Sequence, residues 1–128
     1  MCKIKDTVNF GLQPTSPEKY THLKKSNQMI FITQLIYIKK GQEKVFDQFE
    51  DIAIPTIQRY NGRLLLRIRP EENSFIEHRI DKPYEIHLVE FDSETDFENF
   101  KGDEERKRFL HLKEQAIKSS ILIQGTRL

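Results

Sequence analysis

The run from Met29 to Ile38, MIFITQLIYI, constrains the fold more than any other part of the chain. Side chains alternate across a strand, so Ile30, Ile32, Ile36 and Ile38 point one way, and Met29, Phe31, Leu35 and Tyr37 point the other. Only Thr33 and Gln34 interrupt, one on each face. A strand that is apolar on both faces belongs in a sheet that is covered on both sides. The rest of the chain offers helices for one side only. The other side is therefore expected to meet a partner subunit, with residues 1–28 folding back over it as the alternative cover.

The elements that follow read clearly. A helix is predicted over about 42–60, with Val45, Phe46, Phe49, Ile52, Ala53, Thr56, Ile57 and Tyr60 on one face. Pro55 lies inside it and predicts a kink or break near Ile54. Asn61-Gly62 is the stop signal, with the glycine expected in the left-handed conformation. Arg63 to Arg69, RLLLRIR, reads as a second strand with Leu64, Leu66 and Ile68 on one face and Arg63, Leu65, Arg67 and Arg69 on the other. Pro70 to Asn73 is turn chemistry. Phe75 to Ile80 alternates weakly and reads as an extra strand or hairpin arm. Tyr84 to Phe91 is a third strand, with Tyr84, Ile86 and Leu88 opposite Glu85, His87, Val89 and Phe91. Ser93, with Asp96 three residues on, caps a helix carrying Phe97 and Phe100 and interrupted at Gly102-Asp103. A second segment, about 104–118, buries Phe109, Leu110, Leu112, Ala116, Ile117 and the stem of Lys113. Ser120 to Thr126 is the last strand.

Strand–helix–strand–strand–helix–strand, with short links and right-handed crossovers, gives an α+β fold of the ferredoxin-like βαββαβ type. Its four-stranded antiparallel sheet carries both helices on one face. The domain spans 29–128. Residues 1–28 read as an N-terminal extension, mostly loop, with a short helix starting at Ser16-Pro17-Glu18. The open face of the sheet would present Leu65, Val89, Phe91 and one apolar set each from the first and last strands. A face of that size marks an interaction surface, and a two-fold homodimer with the sheets face to face is the expected cover.

Composition excludes several function classes. The chain has 128 residues, 32% of them charged, and a net charge of +1, so no global field steers it to nucleic acid or to an anionic membrane. Strand RLLLRIR lacks the aromatics on which RNA-binding sheets stack bases, so no nucleic-acid partner is expected. No apolar run approaches the roughly 18–20 residues of a membrane span, and the N-terminus lacks a secretory signal's apolar middle. The single cysteine, Cys2, forms no internal disulfide. These features read as a cytoplasmic protein without membrane partners. The four histidines are scattered without ligand spacing, and there is no phosphate loop, so neither a metal site nor a cofactor is expected. Haem held by a single histidine is left open.

Two stretches carry a family resemblance. Tyr60-Asn61-Gly62-Arg63-Leu64-Leu65 resembles the tyrosine–glycine–arginine helix-to-strand junction of the family called domain of unknown function 1330. Val89-Glu90-Phe91-Asp92-Ser93, followed by an acidic helix start, resembles the end of that family's third strand. The likeness covers about 29–128; family members often carry two glycines where this chain has Asn61-Gly62. The wider group it resembles is the dimeric alpha–beta barrels, which include small cofactor-free monooxygenases, haem-degrading enzymes and many members without known activity. The resemblance implies the ferredoxin-like fold and a homodimer, and carries over no catalytic residue.

Chemistry concentrates where the second and third strands neighbour each other. With Leu64, Leu66 and Ile68 toward the helices, Arg67, Glu85 and His87 share the opposite face, joined by Gln34 or Thr33 from the first strand. Such a polar cluster inside an apolar inter-sheet space is how small-molecule pockets are built. Arginine binds carboxylates in bidentate fashion, and histidine is the usual general base near neutral pH. His87 and Arg67 are therefore the candidate catalytic residues, and Gln34, Tyr37, Arg67, Glu85 and His87 the candidate ligand-binding set. Tyr84 and His111 read as packing residues, and His22 and His78 as solvated. Cross-strand arginine–glutamate pairing is the ordinary structural alternative. The resulting expectation is a homodimer that binds a small organic molecule between its sheets, as a cofactor-independent oxygenase or isomerase. A non-catalytic ligand-binding or structural dimer module is the alternative.

Overall fold

The computed structural model describes residues 28–128. The extension expected over residues 1–28, including its short helix at Ser16, lies outside the described residues except for Gln28. Four strands, β1 (Ile30–Ile38), β2 (Gly62–Ile68), β3 (Glu85–Phe91) and β4 (Ile117–Gly125), form one sheet in the order β2-β3-β1-β4. All three pairings are antiparallel. Helices α1 (Glu43–Ile57), α2 (Glu94–Lys101), α3 (Glu104–Arg108) and α4 (Leu110–Ala116) complete the ferredoxin-like arrangement. β1 is a central strand, and the helices cover one of its two apolar faces. Ile30, Ile32 and Ile36 are buried toward the helices at 0–5% exposure, while Phe31, Leu35 and Tyr37 are half-buried on the other side.

α1 buries Phe46, Phe49, Glu50, Ala53, Thr56 and Ile57 along one stripe. Pro55 does not end the helix, which runs to Ile57 and tightens into a 3₁₀ turn over Gln58–Tyr60. Asn61, rather than Gly62, takes the left-handed conformation, at φ 57°. Asparagine tolerates that region because its short polar side chain hydrogen-bonds locally. Gly62 is needed for space instead: a Cβ there would stand 2.6 Å from Ile57 Cγ2 and 2.6 Å from Phe91 Cε1. The junction residues read from the sequence are the right ones, with their roles exchanged.

β2 departs from simple alternation. Leu64 pairs with Val89 and Leu66 pairs with Leu88, so Leu65 is an extra residue in a bulge. Leu64 faces the helices and packs against the core cluster that contains its partner Val89. Beyond the bulge, parity flips: Leu66 and Ile68 turn to the open face, and Arg67, opposite His87, turns to the helix face. The sequence placed Leu64, Leu66 and Ile68 together, and that is corrected by this single insertion. The assignment of β3 is corrected separately: it pairs with β1 without a bulge, and its mixed set Glu85, His87, Val89 and Phe91, 0–8% exposed, lies under the helices, while the wholly apolar set Ile86 and Leu88 faces the open side.

Residues 70–84 form no strand. They contain a 3₁₀ turn over Glu72–Ser74, and Ile76 and Ile80 stand out in solvent, so the weak alternation of 75–80 reflects no sheet pairing. Tyr37 donates its hydroxyl to the Asp81 carbonyl at 2.7 Å and ties this loop to β1. Ser93 Oγ accepts from Asp96 N–H at 3.1 Å and caps α2 as expected. Asp103 caps α3 by accepting from Arg106 N–H at 2.8 Å, and it also accepts the Tyr60 hydroxyl at 2.6 Å. The second helical segment is two helices, broken at the non-helical Phe109, and its chain enters β4 at Ile117, three residues before the expected Ser120.

Candidate functional site

Antiparallel register lays a polar row across the helix-facing side of the sheet. Arg67 opposes His87, His87 opposes Gln34, and Gln34 opposes Leu122. The neighbouring β3 position on the same face is Glu85, two residues from His87, as strand periodicity requires. Glu85 is fully buried. Its carboxylate accepts from Arg67 Nε at 2.7 Å, from Arg69 Nε at 2.6 Å and from His87 Nε2. Burial pushes its pKa up, but the hydrogen bonds from His87, Arg67 and Arg69 outweigh burial and hold it at about 2. Asp47 of α1 closes the network by pairing with Arg69 and standing 3.6 Å from Arg67.

Because Glu85 is a carboxylate, it fixes the His87 tautomer: Nε2 carries the proton toward Glu85, and Nδ1 is left with its lone pair. Nδ1 has no protein hydrogen-bond partner among the described residues. The imidazole lines a cavity of about 180 Å³ between the sheet and the helices of this one chain. Its walls are mainly apolar, with Ile32, Phe49, Ala53, Ile57, Val89, Phe91, Phe97 and Phe100 among them. Gln34, Glu50, His87, Lys101, Arg106, Lys113 and Ser120 supply its polar groups, Lys101 being paired with Glu98 at 3.2 Å. Apolar walls with a few convergent polar groups are the usual composition of a small-molecule site.

Of the five residues singled out from sequence, His87 and Gln34 line this cavity. Arg67 and Glu85 are in contact with each other beside it, and their charges are spent on the ion network. Tyr37 stands on the other face of the sheet, with its hydroxyl committed to Asp81. His87, Gln34 and Glu85 thus face the helices and not the open side of the sheet where the sequence reading put them. His111 is exposed beside Phe109 rather than packed into the core. His78 is exposed, within 2.8 Å of the Ile80 carbonyl.

Five polar cavity residues fall outside the set read from sequence, Glu50, Lys101, Arg106, Lys113 and Ser120. Glu50 is 7% exposed, and burial pushes its carboxyl above the usual carboxylate range against the pull of His87, Arg67 and Arg106. The signal was there: Glu50 falls four residues after Phe46 and three before Ala53, on the apolar stripe of α1. Arg106 belongs to the charged run 103–108 that reads as a solvated helix start. Its side chain instead turns inward over the Phe100 ring, at 5.1 Å. Lys113 was read only as a buried stem. Burial lowers the pKa of both cations. Among the described residues, no group of three or more His, Cys, Asp or Glu is placed to hold a metal ion, and no helix is long and apolar enough to cross a membrane.

The fold is shared with solved structures. A protein of unknown function from Rhodopseudomonas palustris matches with a TM-score of 0.70 at 14% identity, over 91% of this chain and 95% of its own. A candidate antibiotic biosynthesis monooxygenase from Bacteroides thetaiotaomicron matches with a TM-score of 0.60 at 13% identity, over 79% and 90%. A protein from Bacteroides fragilis, described as dimeric, of unknown function and ferredoxin-like, matches with a TM-score of 0.57 at 12% identity, over 77% and 96%. No protein-family model matches the chain, and no curated protein matches it. At these identities the likeness defines a class by fold: a ferredoxin-like α+β protein.

Proposed function

We propose that this chain is a homodimeric small-molecule-binding protein whose ligand sits in the cavity between sheet and helices of each subunit. The observation that carries the site is the joining of that cavity to a histidine oriented by a buried carboxylate. A pocket walled by phenyl rings takes an apolar body, and His87 Nδ1 meets it with a free lone pair. The chemistry this suits is proton transfer. His87 takes a proton from an acidic C–H or O–H of the bound molecule, Glu85 stabilises the imidazolium, and the proton returns at a second atom to complete an isomerisation. Glu50, raised by burial, is the second group able to relay that proton. The fold shared with a candidate monooxygenase favours a second reading, in which the carbanion left by C–H deprotonation reduces dioxygen as co-substrate, and the resulting hydroperoxide loses water to leave a carbonyl. Binding without catalysis remains the third.

Dimerisation is proposed from the open face. Leu66, Ile68, Ile121 and Ile123 are 40–44% exposed there, next to half-buried Phe31, Leu35, Ile86 and Leu88. A second copy presenting the same face would bury this surface, and a neighbour with this fold is described as dimeric. The narrower kinship with domain of unknown function 1330 rests on the Tyr60–Leu65 and Val89–Ser93 motifs and belongs to the same proposal. The site is tested by filling it. Ala53 lines the cavity and is buried, so Ala53→Phe should abolish the binding of single-ring compounds detected on the wild-type protein by ligand-observed NMR. Equal binding by Ala53→Phe would overturn the assignment.

A further inference from the structure

The cavity's cations are not matched by its anions. Arg106 Nε is buried with no hydrogen-bond partner, the one such buried side-chain nitrogen or oxygen among the described residues. The guanidinium's recorded contacts are a 3.3 Å bond to the Lys101 carbonyl and the Phe100 ring. Lys113, on α4, lines the same cavity and has no ion pair among the described residues. An unmade bond to a buried charged donor is costly, and native structures rarely leave one without an acceptor supplied from elsewhere. The only carboxyl lining the cavity is Glu50, and it pairs with neither cation within 4 Å. The Glu85 carboxylate is already saturated by three donors.

The volume limits what the missing acceptor belongs to. A cavity of about 150 Å³ lined by aliphatic and phenyl groups accommodates benzene, and this one measures about 180 Å³. The excess is about that of one carboxylate group. The apolar walls disfavour a free phosphate, which would lose its hydration against phenyl rings.

From this geometry we infer that the ligand is a compact monocarboxylate with a single ring or an equally small apolar body, its carboxylate held by Arg106 and Lys113 and its body placed against His87. This deepens the proposed small-molecule site and rests on it. Arg67, the anion binder expected from sequence, is occupied by Glu85, and the task passes to Arg106.

The test titrates benzoate and benzyl alcohol, which share a ring and differ in charge, into the full chain at neutral pH by calorimetry or NMR. The wild-type protein should bind benzoate at least about tenfold more tightly, the size expected of one charge-assisted contact. Arg106→Gln should narrow that gap by weakening benzoate, while Arg106→Lys should retain more of it. Equal wild-type affinities for the two probes would overturn the carboxylate assignment and leave the cavity as the binding site. Binding of neither probe would overturn both.

Discussion

Removing the Glu85 carboxylate strips its acceptor from two guanidiniums and an imidazole at once. Breaking such a buried ionic set costs about 3–5 kcal/mol. Arg67 and Arg69 are 30% and 44% exposed and recover some hydration, so Glu85→Ala is expected near 3 kcal/mol, measured by urea denaturation at pH 7. The same residue sets an acid limb. Its folded pKa of about 2 lies below the ordinary glutamate value of 4.5, so its stabilisation is present above about pH 4.5 and is lost as pH falls toward 2. Glu85→Gln should flatten that limb in denaturation curves taken at pH 2–5. Glu50 runs the opposite way. Its raised pKa gives a contribution complete below 4.5 and lost as pH rises through the folded value, so Glu50→Gln should raise the Tm more at pH 8 than at pH 4. Arg67, Glu85 and His87 were legible as a cluster because alternation along one strand and pairing with the next are local rules. Arg106 was not, because nothing in the run DEERKR distinguishes an arginine turned inward from its solvated neighbours.

At the scale of elements, two junctions set where the site lies. The space at Gly62 is occupied by Ile57 and Phe91, so Gly62→Ala overpacks the end of α1 against β3 and should cost about 1–3 kcal/mol. A neutral result by denaturation would mean that the junction relaxes freely. Ser93→Ala removes the α2 cap and should cost about 1 kcal/mol. The strands and helices were readable from hydrophobic period, capping and turn residues, and the order of elements then implied the topology. The bulge at Leu65 was not readable. RLLLRIR alternates as well with Leu65 counted as without it, and only pairing with β3 reveals which residue is extra. That one residue decides which face carries Arg67; Glu85 and His87 were misplaced for a different reason, since β3 turns its mixed set and not its wholly apolar set toward the helices.

For the whole molecule, the two sides of the sheet divide the work: the helix side holds the cavity and the open side holds the proposed dimer contact. Ile68→Glu combined with Ile121→Glu puts charge on the open face without touching the cavity, and native mass spectrometry should then show monomers where the wild type shows dimers. The two-faced apolar pattern of Met29–Ile38 pointed to this division from sequence alone, although it was silent on which side holds the chemistry. The most direct test uses methyl-labelled isoleucine, leucine and valine and a titration with benzyl alcohol followed by NMR. The cavity methyls Ile32, Ile54, Ile57, Val89 and Leu122 are expected to shift, while Leu35, Ile86, Leu88, Ile121 and Ile123 on the open face stay in place. Shifts confined to the open-face methyls would contradict the placement of the site beneath the helices.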